Sequence, residues 1–198
     1  MRYESGQSLD QYITHHKFCT LDVSDWRFLF SQMVHTLDFL HSHQVLHDDV
    51  KPDNIIWIRE ERRAVLIDFG AASIGSDPQF NPSGTPSYVP PEFLLRCKGF
   101  SGDVWALGVT MLFAMGLISL PEGNWLLPSV FDRSEALREM QAWLKTIESW
   151  RLRLQDEGPL LVASMLDSNW ITRITASNLV DRLRERDFAC QTEPQAVV

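Results

Sequence analysis

Cysteine is scarce in this chain. The three present, Cys19, Cys97 and Cys190, are odd in number and widely spaced. They form neither a disulfide framework nor a zinc-ligand spacing, which favours a reducing compartment. Positive charge is also short: 18 Lys and Arg against 26 Asp and Glu leave a formal net charge of −8. That balance argues against a general nucleic-acid binder, whose affinity comes mainly from neutralising phosphates. A nucleotide arriving with its own Mg²⁺ is compatible with it. Residues 1–11 lack the apolar run of a signal peptide, so the expected location is intracellular, cytoplasmic or nuclear. One long uncharged apolar stretch occurs, at 104–120. It falls short of the roughly 20 residues a membrane span needs. Asp103 and Glu122 bracket it where basic flanks would stand, so it reads as a fully buried core helix and no membrane contact is expected.

Hydrophobic residues make up 44% and charged residues 22% of the chain, enough apolar content for one domain or one large lobe with its own core. Trp26, Leu29, Phe30, Met33, Leu37 and Leu40 repeat at helical spacing and predict a helix over 24–43, with Ser24 placed to cap it. Two short β-branched runs, 55–58 and 64–67, flank a charged segment and predict a hairpin. Residues 68–92 are rich in Gly, Pro and Ser without periodicity, which predicts a functional loop rather than regular structure. Beyond residue 101 the pattern is helical: a buried helix near 103–116, an amphipathic one at 134–155, and shorter ones near 159–166 and 175–186. The last residues, from Cys190, read as frayed. His35, His41, His43 and His47 lack the Cys or carboxylate support of a zinc site and read as helix-surface and loop-bracing residues. The seven tryptophans read as core packing.

The chemistry concentrates in His47-Asp48-Asp49-Val50-Lys51-Pro52-Asp53-Asn54. Asp68-Phe69-Gly70 begins nineteen positions after Asp49, and Glu92 follows Asp68 by twenty-four, closing the run from Gly84. A loop between a rigid helix and a hairpin can aim several side chains at one point. Asp49 supplies a carboxylate able to accept a hydroxyl proton, Lys51 a positive charge for a phosphoryl oxygen, Asn54 a neutral oxygen ligand. Asp68 follows a strand, and Gly70 lets the backbone turn beside it. Mg²⁺ prefers oxygen ligands, one or two from protein and the rest from water and phosphates, which Asn54 and Asp68 fit. Positioned metal, charge neutralisation and a base are what phosphoryl transfer requires.

These segments resemble the signature set of the protein kinases: the HRD catalytic loop with its Asn, then DFG, then APE. The resemblance runs from residue 1 to about residue 186. It implies a mainly α fold, a kinase C-terminal lobe over 1–187 with a small β-hairpin region beside the catalytic loop, and a flexible tail at 188–198. It implies an ATP- and Mg²⁺-dependent Ser/Thr protein kinase acting on a protein substrate, with Lys51 two residues after Asp49 resembling the Ser/Thr pattern. On that resemblance Asp49 and Lys51 are catalytic, and Asn54 and Asp68 hold Mg²⁺. Lys51, Asn54, Asp68, Glu4, Ser8 and Ile56 contact the nucleotide: Glu4 in the hinge, Ser8 toward the ribose, Ile56 as the adenine floor. Thr85 resembles the activation-segment threonine that touches the catalytic Asp and Lys. His47 packs within the loop, Asp103 braces it from the central helix, and Glu92 pairs with Arg173.

Two departures from the family pattern stand out. The resemblance begins at the hinge, with no Gly-rich loop, strand Lys or helical Glu partner. The chain therefore reads as a fragment or truncated product whose uncovered apolar surface is open to partner docking. The second reading from this departure is a catalytically silent, pseudokinase-like binding or scaffold module. The other departure is Asp48, where the family carries the arginine that receives an activation-loop phosphate. A carboxylate repels phosphate, so phosphorylation at Ser73, Ser76 or Ser83 is not expected to be the main switch. The APE segment itself reads Pro90-Pro91-Glu92.

Overall fold

Twenty residues of apolar periodicity organise the first half of the chain. In the computed structural model, which describes residues 6–15, 21–75, 79–120, 126–157 and 159–192, they form α2 (Val23–Ser42), after β1 (Gln7–Ser8) and α1 (Leu9–His15). Leu29, Phe30, Met33, Val34, Leu37 and Leu40 of α2 are buried, and Trp26 packs at the core's edge. The cap differs from expectation. The helix starts one residue early, so Asp22 occupies the capping position and its carboxylate accepts from Asp25 N at 2.8 Å. Ser24 instead donates its hydroxyl to Asp22 Oδ1. A carboxylate also complements the positive end of the helix dipole, and these bonds hold the Asp22 carboxyl below its ordinary range.

After β2 (Val45–Leu46) and the loop over 47–54 come β3 (Ile55–Ile58) and β4 (Arg63–Leu66). They pair antiparallel as the expected hairpin, in the register Ile56↔Val65. Its turn closes through Arg62 in the left-handed region, at φ 45°. Gln32 of α2 clamps that turn, donating to Arg62 O at 2.6 Å and accepting from Ala64 N at 2.8 Å. Two pairings lie outside the sequence expectation: β1 adds to β3 as a third strand, and β2 pairs with β5 (Ser73–Ile74). Both involve two-residue strands, too short to show an alternating pattern. The expected unstructured stretch 68–92 thus contains β5 and two 3-10 turns, Pro86–Tyr88 and Pro91–Leu95, each begun by a proline whose fixed φ suits that position.

The second half is helical: α3 (Phe100–Ala114), α4 (Ser134–Glu157), α5 (Leu160–Met165) and α6 (Ala176–Thr192). The fold is mainly α. From Asp103 to Leu112 every residue of α3 is buried, which accounts for most of the apolar stretch read from the sequence; the helix ends at Ala114, and Gly116 and Ser119 beyond it are exposed. Among the described residues no helix is long and apolar enough to cross a membrane. The final helix continues to Thr192, beyond the expected end near 186.

Helix α3 packs closely on the end of α5. A Cβ added at Gly108 would lie 2.8 Å from Leu166 Cδ2, 3.1 Å from Leu166 Cγ and 3.2 Å from Met165 Cβ. In an exposed helix Gly→Ala gains up to ~1 kcal/mol, but overpacking a core costs ~1–3 kcal/mol. The second effect wins here because Met165 Cβ is tied to backbone. Gly108→Ala should lower unfolding free energy by about 1–2 kcal/mol, read from the urea midpoint; an unchanged or higher midpoint would show that α5 can move aside.

Candidate active site

Asp103 sits in the first turn of α3 with its side chain almost fully buried. Its carboxylate accepts from His47 N (2.9 Å, Oδ2) and Asp48 N (2.9 Å, Oδ1), and His41 Nε2 lies 3.0 Å from Oδ2. Two consecutive amides of the loop are thereby fixed to a rigid helix. Asp48 adopts φ 64°, a left-handed conformation that Asp tolerates better than most residues. His47 is fully buried and bridges the loop to the end of the hairpin. Its Nε2 lies 3.1 Å from Ile67 O, while Asp49 N donates to its Nδ1 at 3.4 Å. Those two partners together require the Nε2–H tautomer.

That bracing aims Asp49. Its Oδ1 accepts the Thr85 hydroxyl at 2.7 Å, and its Oδ2 lies 2.8 Å from Lys51 Nζ and 3.0 Å from Asn54 Nδ2. Lys51 Nζ also donates to Thr85 Oγ1 at 2.7 Å, and Asn54 Nδ2 to Asp49 O at 2.8 Å. Asp49, Lys51, Asn54 and Thr85 thus form one polar network contributed by the loop and the activation segment. Asn54 is set in register by the 3-10 turn Pro52–Asn54, and its carbonyl accepts from Ile67 N at 2.8 Å. This bond ties Asn54 to Ile67, the residue before Asp68. Asp68 is exposed, has φ 62°, and accepts Gly70 N on Oδ1 at 3.1 Å.

The donor chemistry suits a hard cation. Both amide hydrogens of Asn54 are turned to Asp49, leaving its Oδ1 without a hydrogen bond from the described residues, and Asp68 Oδ2 is likewise unengaged. Two oxygens, one neutral and one anionic, match the small protein share of a Mg²⁺ shell. Of the expected nucleotide contacts, Glu4 lies outside the described residues. Ser8 is paired opposite Ile56 across the β1–β3 ladder. Its Oγ accepts Gln11 N at 3.2 Å, a helix-capping bond in which Ser8 is the acceptor and which the sequence did not announce.

Glu92 and Arg173 meet as expected, both buried. The pair is bidentate, at 2.6 Å (Nη1–Oε1) and 2.8 Å (Nη2–Oε2). Arg173 also donates to Asp167 O and Ser101 O, both at 2.8 Å, and its guanidinium lies 4.9 Å from the Trp105 ring centre. The activation segment is held once more by Trp143 of α4, whose Nε1 donates to Ser87 O at 2.7 Å.

Two participants were not legible as site residues, Lys98 and Asn81; a third, Ser83, stands in the sequence only as an available hydroxyl. Lys98 pairs with Asp48, and Ser83 donates to Asp48 Oδ2 at 2.7 Å. Burial pushes the Asp48 carboxyl upward, while Lys98 and Ser83 pull it back. The reversed charge at position 48 was the available signal: a half-buried carboxylate needs a cation.

The sequence model of the protein kinase domain matches residues 1–183. The chain belongs to the protein kinase family.

Removing one partner of a buried ion pair costs ~3–5 kcal/mol because the other charge is left buried. Arg173→Ala should lose about that much in urea unfolding. A loss below about 1 kcal/mol, the range of exposed pairs, would mean that water reaches Glu92.

Proposed function

We propose that residues 1–187 are the C-terminal lobe of a Ser/Thr protein kinase, transferring the γ-phosphoryl of Mg²⁺-ATP to a protein hydroxyl. The supporting observation is the closed network of Asp49, Lys51, Asn54 and Thr85. An ionised carboxylate has about four acceptor sites, and three at Asp49 are occupied, by Thr85, Lys51 and Asn54. The remaining site on Oδ1 is free to accept the proton of an incoming hydroxyl, so Asp49 orients the acceptor and takes its proton. Lys51 has three N–H donors; two go to Asp49 and Thr85, and the third is available to a phosphoryl oxygen. Thr85 fixes the spacing of the two by bonding to both.

Asn54 Oδ1 and Asp68 Oδ2 would hold Mg²⁺, which when bound neutralises charge on the phosphate oxygens. Ile56 would form the apolar floor under the adenine, with Ser8 offering its hydroxyl proton to the ribose. These residues position more than they react, and positioning is most of what phosphoryl transfer asks of a protein.

Millimolar Mg²⁺-ATP should raise the thermal midpoint of the purified chain, and Asp68→Asn should abolish the rise. Phosphoryl transfer to a Ser/Thr protein substrate should fall about 10²–10⁴-fold in Asp49→Asn, the usual contribution of a positioned base, with the midpoint little changed. No stabilisation by Mg²⁺-ATP, or an equal one in Asp68→Asn, would overturn the assignment.

A further inference from the structure

The Lys98 ammonium is engaged well beyond an ordinary surface lysine. Its side chain is 7% exposed. It donates to Asp48 Oδ2, to Ser83 Oγ and Asn81 Oδ1 at 2.7 Å each, and lies 3.4 Å from Ser83 O. Ser83 in turn donates to Asp48 Oδ2 and lies 2.6 Å from Asn81 Oδ1. One cation from the stretch before α3 thus gathers the catalytic loop and residues 81–83 of the activation segment.

Two residues further on, Thr85 makes its bonds to Asp49 and Lys51. Only Gly84 separates the two anchors. It has φ 109°, and a Cβ there would lie 3.4 Å from Asp48 O, so the backbone crosses the loop closely. A shift at Ser83 therefore reaches Thr85 with almost no slack.

We propose that Lys98 is a positioning residue: with Asp48, Ser83 and Asn81 it forms a clamp, complete within the chain, that fixes Thr85 on the catalytic Asp49–Lys51 pair. The clamp stands on its own geometry, and its catalytic consequence rests on the kinase reading above. The clamp is charge-specific. Without the ammonium, Asp48 is a partly buried carboxylate with no cation, and Ser83 and Asn81 lose their common donor.

The test is amide hydrogen exchange over residues 79–90 of the purified chain, with the amides of Phe100–Ala114 as the internal reference. Lys98→Met keeps the aliphatic stem and removes the charge. It should speed exchange in 79–90 at least tenfold while leaving the reference unchanged. Adding Asp48→Asn should recover most of that loss, because Asn still accepts from Ser83 and tolerates the left-handed backbone. A stem that acted only by packing would not be rescued this way. Where transfer is measured, Lys98→Met should lower kcat more than tenfold with KM for Mg²⁺-ATP within threefold.

Unchanged exchange in 79–90 for Lys98→Met, or a loss that Asp48→Asn fails to relieve, overturns the clamp. Should Lys98→Met also lose the reference protection, Ser83→Ala decides: two- to fivefold faster exchange in 79–90 supports the clamp, and no change overturns it. A wild-type chain without transfer activity counts against the proposed function, and the exchange result still judges the clamp.

Discussion

One carboxylate, Asp103, sets the geometry on which the rest of the site depends. It stands in the first turn of α3 and receives two successive loop amides and the His41 imidazole. Hydrogen bonds to a charged group are worth ~1.5–3 kcal/mol each, more than the ~1–2 kcal/mol that a left-handed residue costs. Asp48 can therefore hold φ 64°, and the loop turns sharply enough to present Asp49 on the far side. Helix α3 is immobilised by burial on every face. Asp49 inherits that rigidity through two hydrogen bonds and one peptide link.

The activation segment is organised differently. Among its described residues it holds no α-helix, only a two-residue strand and two short 3-10 turns, so its shape comes from polar contacts spaced along it. Ser83 meets Asp48 and Lys98, Thr85 meets Asp49 and Lys51, Ser87 accepts from Trp143, and Glu92 meets Arg173. Buried ion pairs are poor sources of net stability, since desolvation offsets most of the attraction. What they supply here is register: each contact admits one alignment of the segment against the rest of the fold. The apolar cluster of Phe80, Phe93 and Phe131 rings, with centroids 5.2–5.8 Å apart, adds burial without selecting that alignment.

How much could be read in advance follows from the range of each interaction. Helix α2 was legible because its burial repeats at helical spacing, and α3 because it is apolar all round. The β3–β4 hairpin was legible from β-branched runs. Strands β1 and β5 were not, since two residues carry no period and exist only through their partners. The Asp22 cap was missed by two positions, a boundary effect of a helix that begins one residue early. The network brings together Asp49, Lys51 and Asn54, expected from the chemistry of one short loop, and Thr85, which only the family resemblance implied. Lys98 was illegible because its partner lies fifty positions away and no local pattern links them.

That partnership bears on the polarity of the whole surface around Ser83. An arginine at position 48 would leave a cation in need of an anion, and an added phosphate could supply it. Here the order is reversed: position 48 is the anion, and Lys98, from a different part of the chain, is already its cation. The Ser83 hydroxyl lies between them, 2.7 Å from each. A phosphate on that oxygen would bring about −1.5 to −2 charges against the Asp48 carboxylate while competing with it for the single ammonium. Lys98 can neutralise one charge, not three. On the clamp proposed above, added negative charge in this segment therefore loosens what an arginine-bearing loop would use it to tighten. The sign of the effect follows from one residue identity, Asp48, read together with Lys98, the cation that meets it among the described residues.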